Sequence, residues 1–73
     1  MNYSSNMNSE DFLRELGHRL RARRLHQGLS QERLARAAGL SPRFLSQLEG
    51  GQGNISVARL CELSRALGTP IEE

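Results

Sequence analysis

The sequence predicts an all-α chain of four to five helices, and three observations carry that expectation. No segment alternates apolar and polar residues with the period of two that a half-buried strand requires. Leucines recur instead three and four residues apart, as in Leu13, Leu16 and Leu20, in Leu45 and Leu48, and in Leu60, Leu63 and Leu67. Four successive segments also run from a serine to a glycine, the capping residues of short helices.

Residues 1–8, MNYSSNMN, are polar, aperiodic and without a basic side chain, so they read as a disordered tail rather than a DNA-reaching arm. The domain is expected over 9–73. Ser9 is expected to cap a first helix whose opening turn holds Glu10 and Asp11, charges that suit a helix N-terminus. Leu13, Leu16, Leu20 and Arg24 form its inner stripe, and Gly28 stops it. Ser30 caps a short second helix with Leu34, Ala35 and Ala38 inward, ended by Gly39. Ser41-Pro42 opens the third, with proline where its missing N–H costs nothing. Leu45 and Leu48 face inward there, and Gly50-Gly51 ends it. After the loop Gly50–Ile55, Ser56 caps a fourth helix with Leu60, Leu63 and Leu67 inward, stopped by Gly68. Thr69-Pro70-Ile71-Glu72 has the form of a capping box. It is expected to open a fifth helix that the chain leaves truncated at Glu73, with further sequence, an effector domain, beyond.

A chain of 73 residues buries roughly 60% of its unfolded surface, a small core. The single cysteine, Cys61, cannot form an internal disulfide, and no Cys/His group has metal-ligand spacing. No apolar run approaches the ~20 residues of a membrane span. An enzyme with its own pocket is not expected at this size, and neither is a cofactor; a cytoplasmic protein is. The net charge of +2 conceals an uneven distribution. Residues 14–43 carry eight arginines against Glu15 and Glu32, whereas both flanking stretches are net acidic. That layout suits a molecule presenting one face to a polyanion. Every basic residue is arginine, which codon usage explains as readily as a need for bidentate phosphate contacts.

The second and third helices, separated by Gly39-Leu40-Ser41, make a helix-turn-helix over 30–50. Ala35 supplies the small residue where the two helices cross, and Gly39 can take positive φ in the turn. At 100° per residue, Arg43, Ser46, Gln47 and Gly50 fall within one arc of about 100°, opposite Leu45, Leu48 and Glu49. Arginine and glutamine on an outward helix face can make bidentate contacts to guanine and adenine edges. A merely solvated face is the alternative.

From Leu16 to Gly68 the sequence resembles the phage Cro- and repressor-type helix-turn-helix family, also called the xenobiotic-response-element family. The resemblance rests on Leu16-Gly17, Arg21, Arg24, Gly28-Leu29-Ser30-Gln31, Leu34-Ala35, Gly39-Leu40-Ser41, Leu45-Ser46-Gln47-Leu48-Glu49 and Ala66-Leu67-Gly68. It implies a lambda-repressor-like domain of five helices that binds double-stranded operator DNA, usually as a symmetric homodimer. Position by position, Gln31 corresponds to a phosphate-clamping glutamine, and Arg43 and Gln47 to base readers, with Ser46 beside them. Ser41, Phe44, Arg23, Gln52 and Asn54 are expected to position the DNA backbone; for Phe44, packing against the second helix is the favoured alternative. A transcriptional repressor is the first expectation. An autoregulatory antitoxin or controller, and a protein-interaction module of the same fold, are the alternatives.

Arg24 lies on the apolar stripe, where an unpaired charge is very costly, and Glu49 on the inward side of the third helix is its natural partner. A structural ion pair is expected, with DNA contact by Arg24 the other reading. Cys61 follows a core leucine and is expected to be a mostly buried filler. His18 and His26 have no ligand company. The run Gly51-Gln52-Gly53-Asn54-Ile55-Ser56-Val57 resembles the N-terminal domains of benzoyl-CoA-responsive regulators, which continue into a shikimate-kinase-like domain. That likeness implies a small-molecule effector bound by a C-terminal domain. The backbone N–H groups of Gly51, Gln52 and Asn54 are expected to be available to phosphate.

Overall fold

The structure, a computed structural model, describes residues 8–68. The tail up to Met7 and the expected fifth helix lie outside the described residues. Four helices follow one another: α1 Ser9–His26, α2 Gln31–Ala38, α3 Pro42–Glu49 and α4 Val57–Leu67. No strand occurs among the described residues.

Three of the four caps sit on the expected serines. Ser30, Ser41 and Ser56 are extended, and each hydroxyl accepts the backbone N–H three residues on, at 3.0–3.2 Å. The first cap differs. Asn8, not Ser9, takes the extended conformation, and its side-chain oxygen accepts the N–H of Asp11 at 2.8 Å. Asparagine and serine cap about equally well. The choice of Asn8 lengthens α1 by one residue and takes Asn8 out of the tail. Gly28, Gly39 and Gly68 all have φ near +70°, so the expected stops form as left-handed caps. At two of them the following leucine completes a Schellman pattern, Leu29 N–H donating to Arg24 and Leu40 N–H to Ala35.

The core is almost wholly leucine: Leu16, Leu20, Leu34, Leu45, Leu48, Leu63 and Leu67, with Ala35 and Ala38. Leu13 and Leu60, placed on inner stripes by spacing, are only half-buried. Cys61 is exposed, a correction to its expected burial. It lies one position, about 100°, from Leu60, which is already at the edge of the buried arc. Helix α1 packs on α3, and α2 on both α3 and α4.

Gly17 sets how closely α1 meets α3. A Cβ there would fall on the carbonyl oxygen of Leu48 and lie 2.8 Å from that of Glu49. Two polar cross-links fix the helix ends. The Gln27 side-chain amide donates to the Leu67 carbonyl, joining the end of α1 to the end of α4. Arg59 Nη1 donates to the Gly39 carbonyl at 2.8 Å, tying the start of α4 to the α2–α3 turn.

Candidate nucleic-acid interface

Helices α2 and α3 hold Gln31, Arg43, Phe44, Ser46, Gln47 and Glu49 of the side chains singled out in the sequence, and their relative placement is governed by one carboxylate. Glu49 ends α3 and is buried at 9% exposure, as is Arg24 of α1 at 7%. Arg24 Nε meets Glu49 Oε2 at 2.6 Å and Nη2 meets Oε1 at 3.0 Å, a bidentate pair. A third guanidinium bond runs from Nη1 to the Leu29 carbonyl at 2.8 Å, just before α2 begins. The hydrogen bond to Glu49 raises the Arg24 pKa above its ordinary value, and burial opposes it without prevailing. Glu49 Oε1 also accepts from Gln31 Nε2 at 3.0 Å. One carboxylate of α3 thus binds side chains from α1 and from the first residue of α2. A buried polar network of this kind holds position only if it is fully satisfied. No buried side-chain nitrogen or oxygen among the described residues lacks a partner.

The structure places Arg43, Ser46 and Gln47 together on the exposed face of α3, one helical turn in extent. Ser41 is exposed at the start of the same helix, its hydroxyl accepting the Phe44 N–H at 3.0 Å. Phe44 itself is half-buried and packs against the leucine core. It also lies beneath the loop, 3.6 Å from where a Cβ on Gly53 would stand. Gln31 is half-buried with its amide on Glu49, and Arg23 is half-buried on α1. Gln52 and Asn54 are exposed in the α3–α4 loop.

The expectation for the loop amides needs correcting. Gly51 N–H donates to the Leu48 carbonyl at 3.0 Å, and Gln52 N–H to the Gln47 carbonyl at 2.8 Å. Both satisfy carbonyls left without partners at the end of α3. Of the three amides named, only Asn54's remains a candidate for phosphate, and Gln52 would have to act through its side chain. Gly51, at φ +83°, brings the loop onto α1, where a Cβ would come within 3.1 Å of the Arg14 Cα.

Sequence reading missed three positioning residues. Gly17 stood in the matched pattern, but its role, admitting two carbonyls of α3, needs the packed pair of helices. Gln27 and Arg59 bond to carbonyls 40 and 20 residues away, and no local pattern announces such contacts. Among the described residues no group of His, Cys, Asp and Glu could hold a metal ion. No helix of the described residues is long and apolar enough to cross a membrane.

Comparison with known proteins agrees with this architecture. The helix-turn-helix family model matches residues 20–73. A transcriptional regulator in the ATPase CF(0) region of Rhodospirillum rubrum is 40% identical over 57 residues, 78% of this chain and 53% of that protein. The HTH-type transcriptional regulator y4dJ of Sinorhizobium fredii is 44% identical over 45 residues, 62% of this chain and 58% of its own length. The chain therefore spans a little over half the length of these relatives. Among solved structures, the restriction-modification controller protein C.AhdI of Aeromonas hydrophila superposes with a TM-score of 0.79 at 38% identity, covering 82% of this chain and 91% of the controller. The clp gene regulator ClgR of Corynebacterium glutamicum gives 0.77 at 35% identity, covering 82% of this chain and 78% of that one. The chain belongs to the helix-turn-helix family of DNA-binding transcriptional regulators.

Proposed function

We propose that this chain reads operator DNA with α3 in the major groove, as part of a cytoplasmic transcriptional repressor. The observation that carries the reading is the exposed α3 face, where Arg43, Ser46 and Gln47 stand together on a helix fixed from behind by Glu49. Arg43 and Gln47 contact base edges, with Ser46 between them; guanidinium and amide groups suit guanine and adenine respectively. Gln31, Ser41, Arg23, Gln52 and Asn54 position the sugar-phosphate backbone, and Phe44 shapes the surface under the loop. Double-stranded operator DNA is the partner. The repressor acts as a homodimer on two half-sites about 34 Å apart. The glycine-rich loop supports an effector-responsive regulator, with a small molecule bound by a C-terminal domain. Likeness to a controller protein over 91% of that protein's chain supports a second reading, an autoregulator of its own operon.

Base readers and backbone holders should fail differently when changed. Preferred duplexes are first selected from a random pool. Each variant is then titrated against a selected and a scrambled duplex at two salt concentrations. Arg43→Ala and Gln47→Ala should each cost about 1–3 kcal/mol on the selected duplex and relax base preference, with little loss on the scrambled one. Gln31→Ala should weaken both duplexes by a similar factor and leave the salt slope nearly unchanged, because the side chain is neutral. Equal losses on both duplexes for Arg43→Ala and Gln47→Ala would show that α3 does not read bases.

A further inference from the structure

We infer that Glu49 is a positioning residue for DNA binding, acting through the side-chain amide of Gln31. The inference rests on the reading of Gln31 as a backbone contact. A glutamine amide has a donor end and an acceptor end of nearly the same shape, and phosphate oxygens only accept. An unrestrained amide would present the wrong end part of the time and lose rotamer freedom on binding. Glu49 removes that ambiguity. Its ionised carboxylate can only accept, so the end of Gln31 that faces it must be Nε2, as the 3.0 Å bond records. One N–H of Nε2 goes to Glu49 Oε1, and its second N–H remains to donate toward phosphate.

Glu49 is itself immobilised. Its side chain is 3% exposed, and Arg24 bonds both oxygens, at 2.6 and 3.0 Å. Arg24 also balances the negative charge, so the carboxylate does not repel an approaching phosphate. The chain of bonds runs from α1 through α3 to the first residue of α2. The buried pair therefore has a task at the surface as well as in the core.

A double-mutant cycle separates this task from stability. Wild type, Gln31→Ala, Glu49→Gln and the double variant are titrated with a fluorescein-labelled duplex of mixed sequence, two helical turns long. The temperature is one at which circular dichroism shows all four folded. Glu49→Gln adds a net positive charge, which raises affinity for any duplex, but that change is common to both sides of the cycle and cancels. Gln31→Ala should weaken binding of the wild type by about tenfold or more. In the Glu49→Gln background the factor should shrink by about threefold or more, the scale of one immobilised side chain. The same non-zero factor in both backgrounds would overturn the inference and leave the Gln31 contact standing. No effect of Gln31→Ala on the wild type would remove that contact, and the inference with it.

Nuclear magnetic resonance on the unaltered chain gives a readout that does not require Glu49→Gln to fold. The side-chain amide protons of Gln31 should be shifted and slowed in exchange relative to those of exposed Gln47 and Gln52. Amide signals of Gln31 indistinguishable from those two would overturn the inference.

Discussion

Replacing Gly17 by alanine tests the packing that sets α3 against α1. The three heavy atoms nearest the added Cβ would all be backbone: the Leu48 carbonyl oxygen, the Glu49 carbonyl oxygen at 2.8 Å and the Glu49 carbonyl carbon at 3.0 Å. No rotamer change can relieve contacts with backbone atoms, so the helices must separate. Overpacking of this kind costs about 1–3 kcal/mol, and sometimes more. Alanine in place of glycine inside a helix returns about 0.5–1 kcal/mol. The clash outweighs the propensity gain, and a net loss of about 1–2 kcal/mol is expected, each kcal/mol lowering Tm by about 4–8 °C in a domain of this size. Gly50→Ala is the control. Its φ is −84°, and a Cβ there meets the Gln47 and Ser46 carbonyls at 3.5 Å, an ordinary contact. That variant should match wild type or gain about 0.4–1 kcal/mol. Urea titration with Cm and m compared across the three chains is the assay. A Gly17→Ala chain as stable as wild type, or more so, would refute the close-approach argument. DNA affinity measured below the transition should also fall for Gly17→Ala, because the shifted helix is the one proposed to read bases.

Glu49→Ala strands the Arg24 cation and should cost about 3–5 kcal/mol in a thermal melt, whereas Arg24→Met combined with Glu49→Leu should cost much less; coincident melts of Glu49→Ala and wild type would remove the pair from the account of stability. Arg24, its pKa already raised by Glu49, stays charged through neutral and moderately alkaline pH. A group with a raised folded-state pKa loses its contribution only as pH climbs through that value, so a melt between pH 7 and 9 should show no step attributable to Arg24. Cys61 is exposed and should react with a thiol reagent in the folded chain at the rate of a free thiol, and Cys61→Ser should change stability by less than about 0.5 kcal/mol; protection released only by denaturant would contradict its placement. Arg59→Ala removes the bond to the Gly39 carbonyl, and exposure to solvent keeps its cost to about 1 kcal/mol in a urea titration; no change in Cm would mean the α2–α3 turn is held without it.

Much of the fold could be read from the sequence because its helices are short and individually punctuated. Ser30, Ser41 and Ser56 cap where local chemistry requires, and Gly39 and Gly68 take the left-handed conformation that ends α2 and α4. Each of those signals lies within four residues of what it governs. Where two adjacent residues could serve equally, as Asn8 and Ser9 do, local chemistry does not choose between them. Helical projection also separated Arg43, Ser46 and Gln47 from Leu45 and Leu48, since a helix of eight residues has only two faces to fill. Projection failed at the border of a stripe. Leu60 falls on the inner stripe by spacing but is half-buried, and Cys61 beside it is exposed. A period of 3.6 locates the centre of an apolar arc, and its width depends on what packs against it.

The contacts between elements were harder to read, and the Glu49 cluster shows why. A charged residue on an inward face demands a partner of opposite sign, so burial cost, the inward placement of Glu49 and the family resemblance together point from Arg24 to Glu49 across 25 residues. Gln31 carries no charge, and burial cost made no such demand on it. Its bond to the same carboxylate follows only once the ion pair has fixed where Oε1 lies, 3.0 Å from the amide. Gly17 follows the same order, since its missing Cβ acquires a purpose only when α3 ends beside it at Glu49. The end of α3 is thus where the packing of α1, the capping of that helix and the start of α2 meet. A change there alters stability and recognition together, and stability measurements alone would attribute both effects to the core.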